Sequence, residues 1–139
     1  MNKFNLSNKV AIITGGNGFL GVRHAEALAE VGCNLVLFDK IISKGISKKI
    51  ENRHNVKCLS IKGDVTKEIS VKKTLKIIKK KFGKIDILIN NAAINPTVDK
   101  KKNSKKFSKL ENFSINTWNN EMAVGLTGAF LCSKIFGSE

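Results

Sequence analysis

The stretch V-A-I-I-T-G-G-N-G-F-L-G, residues 10–21, decides how the rest of the chain is read. A short run of β-preferring apolar residues, 10–13, is cut off by Thr14 and a set of glycines, and an alanine-rich helical segment follows over residues 19–31. The pattern predicts a strand, a phosphate-binding turn and a helix. In a dinucleotide-binding βαβ unit the first glycine makes the tight turn, the second lets the backbone approach the pyrophosphate, and the third allows close packing of helix on strand. Gly15, Gly18 and Gly21 suit these three posts. The helix that follows aims its unpaired N–H groups and positive dipole end at the bound anion.

A glycine-rich turn that merely joins strand to helix would read the same over this stretch. The second half of the fingerprint is an acidic residue about 20 positions further on, at the end of the next strand. Asp39 meets it, closing the apolar run 34–38, 24 positions after Gly15.

The chain has 139 residues, one domain's worth, and its apolar fraction of 42% is that of a globular protein. The first nine residues hold no apolar core of a secretory signal, and no apolar run approaches the roughly 20 residues of a membrane span; the expected location is the cytoplasm. Cys33, Cys58 and Cys132 are odd in number and outside any C-x-x-C spacing, so they read as small buried hydrophobes, and neither disulfide nor metal site is expected. The formal charge of +14 is a footprint of nucleic-acid binders. Yet only Arg23 and Arg53 among the 25 basic residues are arginine, the better bidentate phosphate partner, so the lysines, including the runs 79–81 and 100–106, read as solvated faces. This argues against nucleic acid as a partner.

Further along, residues 40–55 carry Ile41, Ile42, Ile46 and Ile50 at helical intervals and predict an exposed second helix. Residues 56–61 alternate as a third strand, followed by Gly63, Asp64, Val65 and Thr66, with Thr66 as N-cap and Glu68 in the first turn of a third helix. Val71, Leu75, Ile78 and Phe82 form that helix's apolar stripe, and Gly83 stops it. Residues 85–89 are a fourth strand, apolar enough to be covered on both faces, ending in Asn90, Asn91, Ala92 and Ala93. A lysine-rich loop over 95–114 holds the only proline, Pro96, and a last helix begins near Thr117, capped by Asn116 or Thr117, with Trp118, Met122, Leu126 and Phe130 as its apolar stripe. Small residues at Ala123, Gly125, Gly128 and Ala129 permit close packing against another helix.

Strands alternating with helices demand a parallel sheet with right-handed crossovers, here a Rossmann-type doubly wound α/β sheet of order 3-2-1-4. Ligands bind outside the carboxyl ends of the strands where the winding reverses, between the first and fourth strands. The candidate cofactor-binding residues all fall there: Thr14, Gly15, Asn17, Gly18, Phe19, Leu20 and Gly21 on the first turn, Asp39 and Lys40 after the second strand, Asp64 and Val65 after the third, and Asn90, Asn91, Ala92 and Ala93 after the fourth. A carboxylate at Asp39 suits two ribose hydroxyls and repels a 2′-phosphate, so NAD is expected over NADP, although Lys40 and Arg23 lie near enough to blunt the discrimination. Asp64 and Val65 bracket an adenine, or Asp64 serves only as a helix-entry cap. Asn90 and Asn91 line the ribose, or lock neighbouring strands together.

Taken together, V-A-I-I-T-G-G-N-G-F-L-G, the Asp39 strand end, G-D-V-T, D-I-L-I-N-N-A-A and W-N-N-E-M-A-V-G-L-T-G-A-F-L-C-S-K resemble the short-chain dehydrogenase/reductase family along nearly the whole chain. The resemblance implies a nicotinamide cofactor and reversible oxidation of an alcohol to a carbonyl by hydride transfer. It also implies a small-molecule substrate and, as in many members, a homo-oligomer packed through the helix over 117–136. The glycine spacing departs from the family's compact branch, which places a glycine at Phe19, and matches its extended branch, whose members often modify nucleotide sugars. The W-N-N-E and L-T-G-A-F-L segments favour the compact branch.

A second departure concerns chemistry. The family's catalytic asparagine falls at Gly125, its serine and Tyr-x-x-x-Lys pair lie beyond residue 139, and the chain has no tyrosine. His24 and His54 read as surface or packing residues. The expectation is therefore an incomplete domain over 1–139, the cofactor-binding half of an NAD-preferring oxidoreductase, inactive by itself and with no catalytic residue of its own. The alternatives are a non-catalytic NAD-binding or sensor protein and an extended-type nucleotide-sugar enzyme.

Overall fold

The computed structural model describes residues 4–94 and 110–138. Strand and helix alternate as β1 (Val10–Thr14), α1 (Phe19–Glu30), β2 (Asn34–Asp39), α2 (Ile46–His54), β3 (Cys58–Lys62), α3 (Glu68–Phe82) and β4 (Ile87–Ile89). A short 3-10 turn, Leu110–Asn112, then leads into α4 (Ile115–Met122), which runs through a π-helical turn at Ala123–Thr127 into α5 (Gly128–Phe136). The four strands form one parallel sheet in the order β3-β2-β1-β4.

The period of two in the central strands explains why helices cover both faces. Val10 and Ile12 of β1, with Val36 and Phe38 of β2, pack on one side against Val71 and Ile78 of α3 and Cys132, Ile135 and Phe136 of α5. Ala11, Ile13, Leu35 and Leu37 turn to the other side, onto Ala25 and Ala29 of α1 and Ile50 of α2. The rings of Phe38 and Phe136 meet edge to face, with centroids 6.2 Å apart. All three cysteines are free and buried, and burial pushes the thiols of Cys58 and Cys132 up to about 12.

Several local readings are corrected. The second helix begins only at Ile46, because Ile41 and Ile42 lie on the surface between β2 and α2. Thr66 does not cap α3: its N–H and hydroxyl both donate to Asp64 Oδ1, at 2.9 and 2.7 Å, and the helix starts one residue later than expected, at Glu68 with Lys67 in the N-cap position. Gly83 does end α3, at φ +80°, with its N–H on Lys79 O, and Lys79, Lys80 and Lys81 fill the last turn, where the helix dipole favours cations. The residues of β4 are half-buried rather than fully covered, since among the described residues no strand pairs on its far side.

The last helix differs most. Its cap is Ser114, whose Oγ accepts the Thr117 N–H at 3.1 Å, so it starts two residues before the expected position. The side chains at Trp118, Leu126 and Phe130 follow helical spacing but are 50%, 66% and 61% exposed, and Met122 is half-buried. Gly128, Cys132, Ile135 and Phe136 face the sheet instead. Spacing identifies an apolar stripe without saying which neighbour covers it. The loop expected over 95–114 and the lysine run 100–106 lie outside the described residues up to position 109.

At the amino ends of the strands, Asp86 ties β4 to β1. Its carboxylate accepts from the Val10 N–H at 2.9 Å and pairs with Lys9 at 3.0 Å and Lys84 at 3.2 Å, while its own N–H donates to Val10 O. Burial alone raises its pKa, but the bonds from Lys9, Val10 and Lys84 reverse this and hold the carboxyl at about 2. A folded value below the unfolded one contributes stability that is present above the unfolded pKa and lost as pH falls through the folded value. Acid unfolding followed by circular dichroism should therefore show Asp86→Asn reducing the loss of stability between pH 4 and pH 2, by about 1 kcal/mol after solvent screening.

Glycine replacements separate packing from helix propensity. A Cβ on Gly16 would lie 2.8 Å from both Leu37 Cα and Ile13 O, whereas one on Gly125 would meet nothing within 4 Å. In urea unfolding, Gly16→Ala should cost about 2 kcal/mol. Gly125→Ala should instead add about 0.5 kcal/mol through helix propensity.

Candidate functional site

The carboxyl ends of all four strands open onto one cleft of about 1130 Å³, closed on its far side by Asn120, Ala123 and Val124 at the junction of α4 and the π-helical turn. The winding reverses between β1 and β4, and the cleft lies outside that reversal.

The turn after β1 forms one wall. Gly15 adopts φ +62°, which side-chain-bearing residues avoid, and a Cβ there would lie 3.0 Å from Ala92 Cα. Gly21, buried in the first turn of α1, packs so closely that a Cβ would overlap Gly15 O. The first intrahelical bond of α1 runs from Val22 N to Gly18 O, which leaves the N–H groups of Phe19, Leu20 and Gly21 without intrahelical partners. Gly18 offers no side-chain cap, and the first turn holds no acidic residue. An uncapped helix N-terminus behind a turn in which Gly15, Gly16 and Gly18 carry no side chain suits an anion.

Beside it, Asp39 ends β2 half-buried, its Oδ2 accepting the Asn17 N–H at 2.9 Å and its Oδ1 the Ile41 N–H at 3.0 Å. Asn17 Oδ1 in turn accepts the Ser43 N–H at 3.3 Å. After β3, Asp64 holds the Thr66 turn described above and pairs with Lys40 at 3.5 Å. Burial raises the Asp64 pKa, but the two Thr66 bonds and the Lys40 charge outweigh it, so the carboxyl sits below its ordinary value. Gly63 gives Phe38 room, since a Cβ there would overlap the Phe38 ring.

On the other wall the buried hydroxyl of Thr14 accepts the N–H groups of Asn91 and Ala92, each at 3.0 Å, and donates to Ile89 O at 3.4 Å. The Asn91 amide returns the contact, donating to Thr14 O at 3.0 Å and Gly15 O at 3.2 Å. Asn91 thus locks strand ends as well as lining the cleft. Asn90 turns away and donates to Ser133 Oγ at 3.0 Å.

Gly15, Gly18, Phe19, Leu20, Asp39, Lys40, Asp64, Val65, Asn91, Ala92 and Ala93 share the cleft. Thr14, Asn17, Gly21 and Asn90 do not line it; the first three support the turn from behind, and Asn90 faces α5. Sequence reasoning missed Gly16, which the double glycine at 15–16 could have flagged, and Asn120, Ala123 and Val124, which only the approach of α4 brings in. Gly125 is exposed within the π-helical turn and brings no side chain to the cleft. Among the described residues, no group of three His, Cys, Asp or Glu is placed to hold a metal ion, and no helix is long and apolar enough to cross a membrane.

Known proteins share this fold. The family model for short chain dehydrogenases matches residues 9–138. An NAD-dependent glycerol dehydrogenase of Listeria innocua is 31% identical over 136 residues, 98% of this chain and 49% of that protein. The crystal structure of an NAD+-bound xylitol dehydrogenase superposes with a TM-score of 0.79 at 27% identity, over 96% of this chain and 48% of that one. An NADPH-dependent 3-quinuclidinone reductase from Rhodotorula rubra does so with a TM-score of 0.77 at 27% identity, over 95% and 47%. The chain spans about half the length of the relatives it matches. With its strand order, its glycine turn and a family match over nearly every residue in agreement, the chain belongs to the short-chain dehydrogenases.

Proposed function

We propose that this chain supplies the dinucleotide-binding half of an oxidoreductase that interconverts an alcohol and a carbonyl, and that it prefers NAD to NADP. The observation that carries this reading is the uncapped N-terminus of α1 opening onto the cleft beside Asp39. In this reading the free N–H groups of Phe19, Leu20 and Gly21 hold the pyrophosphate, and Asp39 accepts from the adenosine ribose. Asp64 and Val65 flank the adenine, and Asn91, Ala92 and Ala93 border the nicotinamide end. The bound nicotinamide would supply a site for hydride, and the chain's own residues bind and orient it. Bearing on the NAD preference, Asp39 makes no ion pair among the described residues, so its negative charge stands uncompensated against a 2′-phosphate. Calorimetric titration should give tighter binding of NAD+ than NADP+, and Asp39→Ala should narrow that gap by about tenfold. Equal affinities for the unmutated protein would overturn the preference.

Alcohol oxidation needs a group that moves the hydroxyl proton. The chain has no tyrosine and carries glycine at position 125, so we infer that it does not turn over by itself. The same two observations support a second reading, a non-catalytic NAD-binding or sensor protein. Joined to sequence that supplies a serine and a Tyr-x-x-x-Lys pair, the chain should show substrate-dependent absorbance of reduced nicotinamide under the first reading and none under the second.

We also propose self-association through the outward face of α4 and α5, where Trp118, Leu126 and Phe130 are exposed. Large exposed apolar side chains on one helical segment suit a protein interface. Sedimentation of Leu126→Asp with Phe130→Asp should show a smaller species than the unmutated chain.

A further inference from the structure

At the end of the cleft beside β2, Asp39 accepts only backbone N–H groups among the described residues, and the neighbouring cations Lys40 and Arg23 are each engaged with another carboxylate. Lys40, next in sequence to Asp39, places its Nζ 3.5 Å from Asp64 Oδ2. Arg23 Nη1 lies 3.0 Å from Glu26 Oε2, with its guanidinium 5.9 Å from the centre of the Phe19 ring. A phosphate monoester carries a charge of about −1.5 to −2 at neutral pH and needs a cation to enter such a site. Lys40 and Lys67 line the cleft and Arg23 does not; Lys40 directly follows Asp39 in the chain, so the hold on Lys40 is the one that bears on the charge beside Asp39.

Asp64 is built to keep that hold. Its side chain is 27% exposed and anchored by both Thr66 bonds to Oδ1, which leaves Oδ2 for the ammonium. We propose that Asp64 is a positioning residue for cofactor choice: by retaining the Lys40 ammonium, it denies a 2′-phosphate the counter-charge that would offset Asp39. The proposal rests on the dinucleotide reading of the cleft. It assigns Asp64 a role distinct from any contact with the adenine, because an adenine contact acts equally on NAD and NADP.

The test uses the full chain, NAD+ and NADP+ as probes, and calorimetric dissociation constants for the unmutated protein, Asp64→Asn, Lys40→Gln and the double variant. Asparagine retains an Oδ1 for the Thr66 bonds and loses the charge that holds Lys40. Asp64→Asn should shift the affinity ratio toward NADP+ by about three- to tenfold, and in the Lys40→Gln background the same change should shift it less than twofold. An unchanged ratio in Asp64→Asn, or an equal shift in both backgrounds, overturns the proposal. Lys40→Gln alone decides the matter even if Asp64→Asn fails to fold. A held lysine predicts no loss of NADP+ affinity, and a loss beyond threefold shows that Lys40 already reaches the phosphate. Binding of neither nucleotide to the unmutated protein refutes the dinucleotide reading itself, and the proposal falls with it.

Discussion

The buried hydroxyl of Thr14 fixes the geometry on which the rest of the cleft depends. It accepts two backbone N–H groups from the segment after β4, and the Asn91 amide answers with two bonds to the turn after β1. β1 and β4 are the strands between which the winding reverses, and their parallel pairing ends at Ile13 and Ile89. Beyond that last pair, these side-chain hydrogen bonds hold the two strand ends together. Each such group, once buried, costs about 1–3 kcal/mol if its partner is removed, which makes the latch rigid as well as specific.

The glycine turn is held from three sides by this frame. Asn91 meets it from β4, Leu37 lies under Gly16 from β2, and Gly21 brings α1 against the backbone of Gly15 and Gly16. The Asp39 carboxylate closes the fourth side by accepting the Asn17 N–H. The Phe19 side chain is 81% exposed and borders the cleft, so the packing of the turn itself accommodates a large residue at the position that the compact branch fills with glycine. What the turn demands of glycine is the positive φ of Gly15 and the absent side chains of Gly16 and Gly21.

Much of this was legible in the residues, and the reasons differ by level. The period-two apolar runs around Ile12 and Val36 report strands covered on both faces, and the Gly15, Gly21 and Asp39 spacing reports a turn with a strand end beside it. These are local regularities imposed by backbone geometry. Helix boundaries were less legible. Asp64 took the Thr66 hydroxyl for its own turn and so moved the start of α3, while Ser114 outcompeted Asn116 and Thr117 for the cap of α4.

The sequence by itself determined the alternation of strands and helices, the glycine turn and the polar residues at each strand end, because alternation and spacing act over a few positions of chain. Tertiary structure alone decided the partners. It turned Asn90 to α5 and Asn91 to the latch, engaged Lys40 with Asp64 and Arg23 with Glu26, and left Trp118, Leu126 and Phe130 facing outward. The physical reason is that a hydrogen bond, an ion pair or a buried face requires two surfaces to meet, and residues far apart in sequence are brought together only by the packed sheet and its helices.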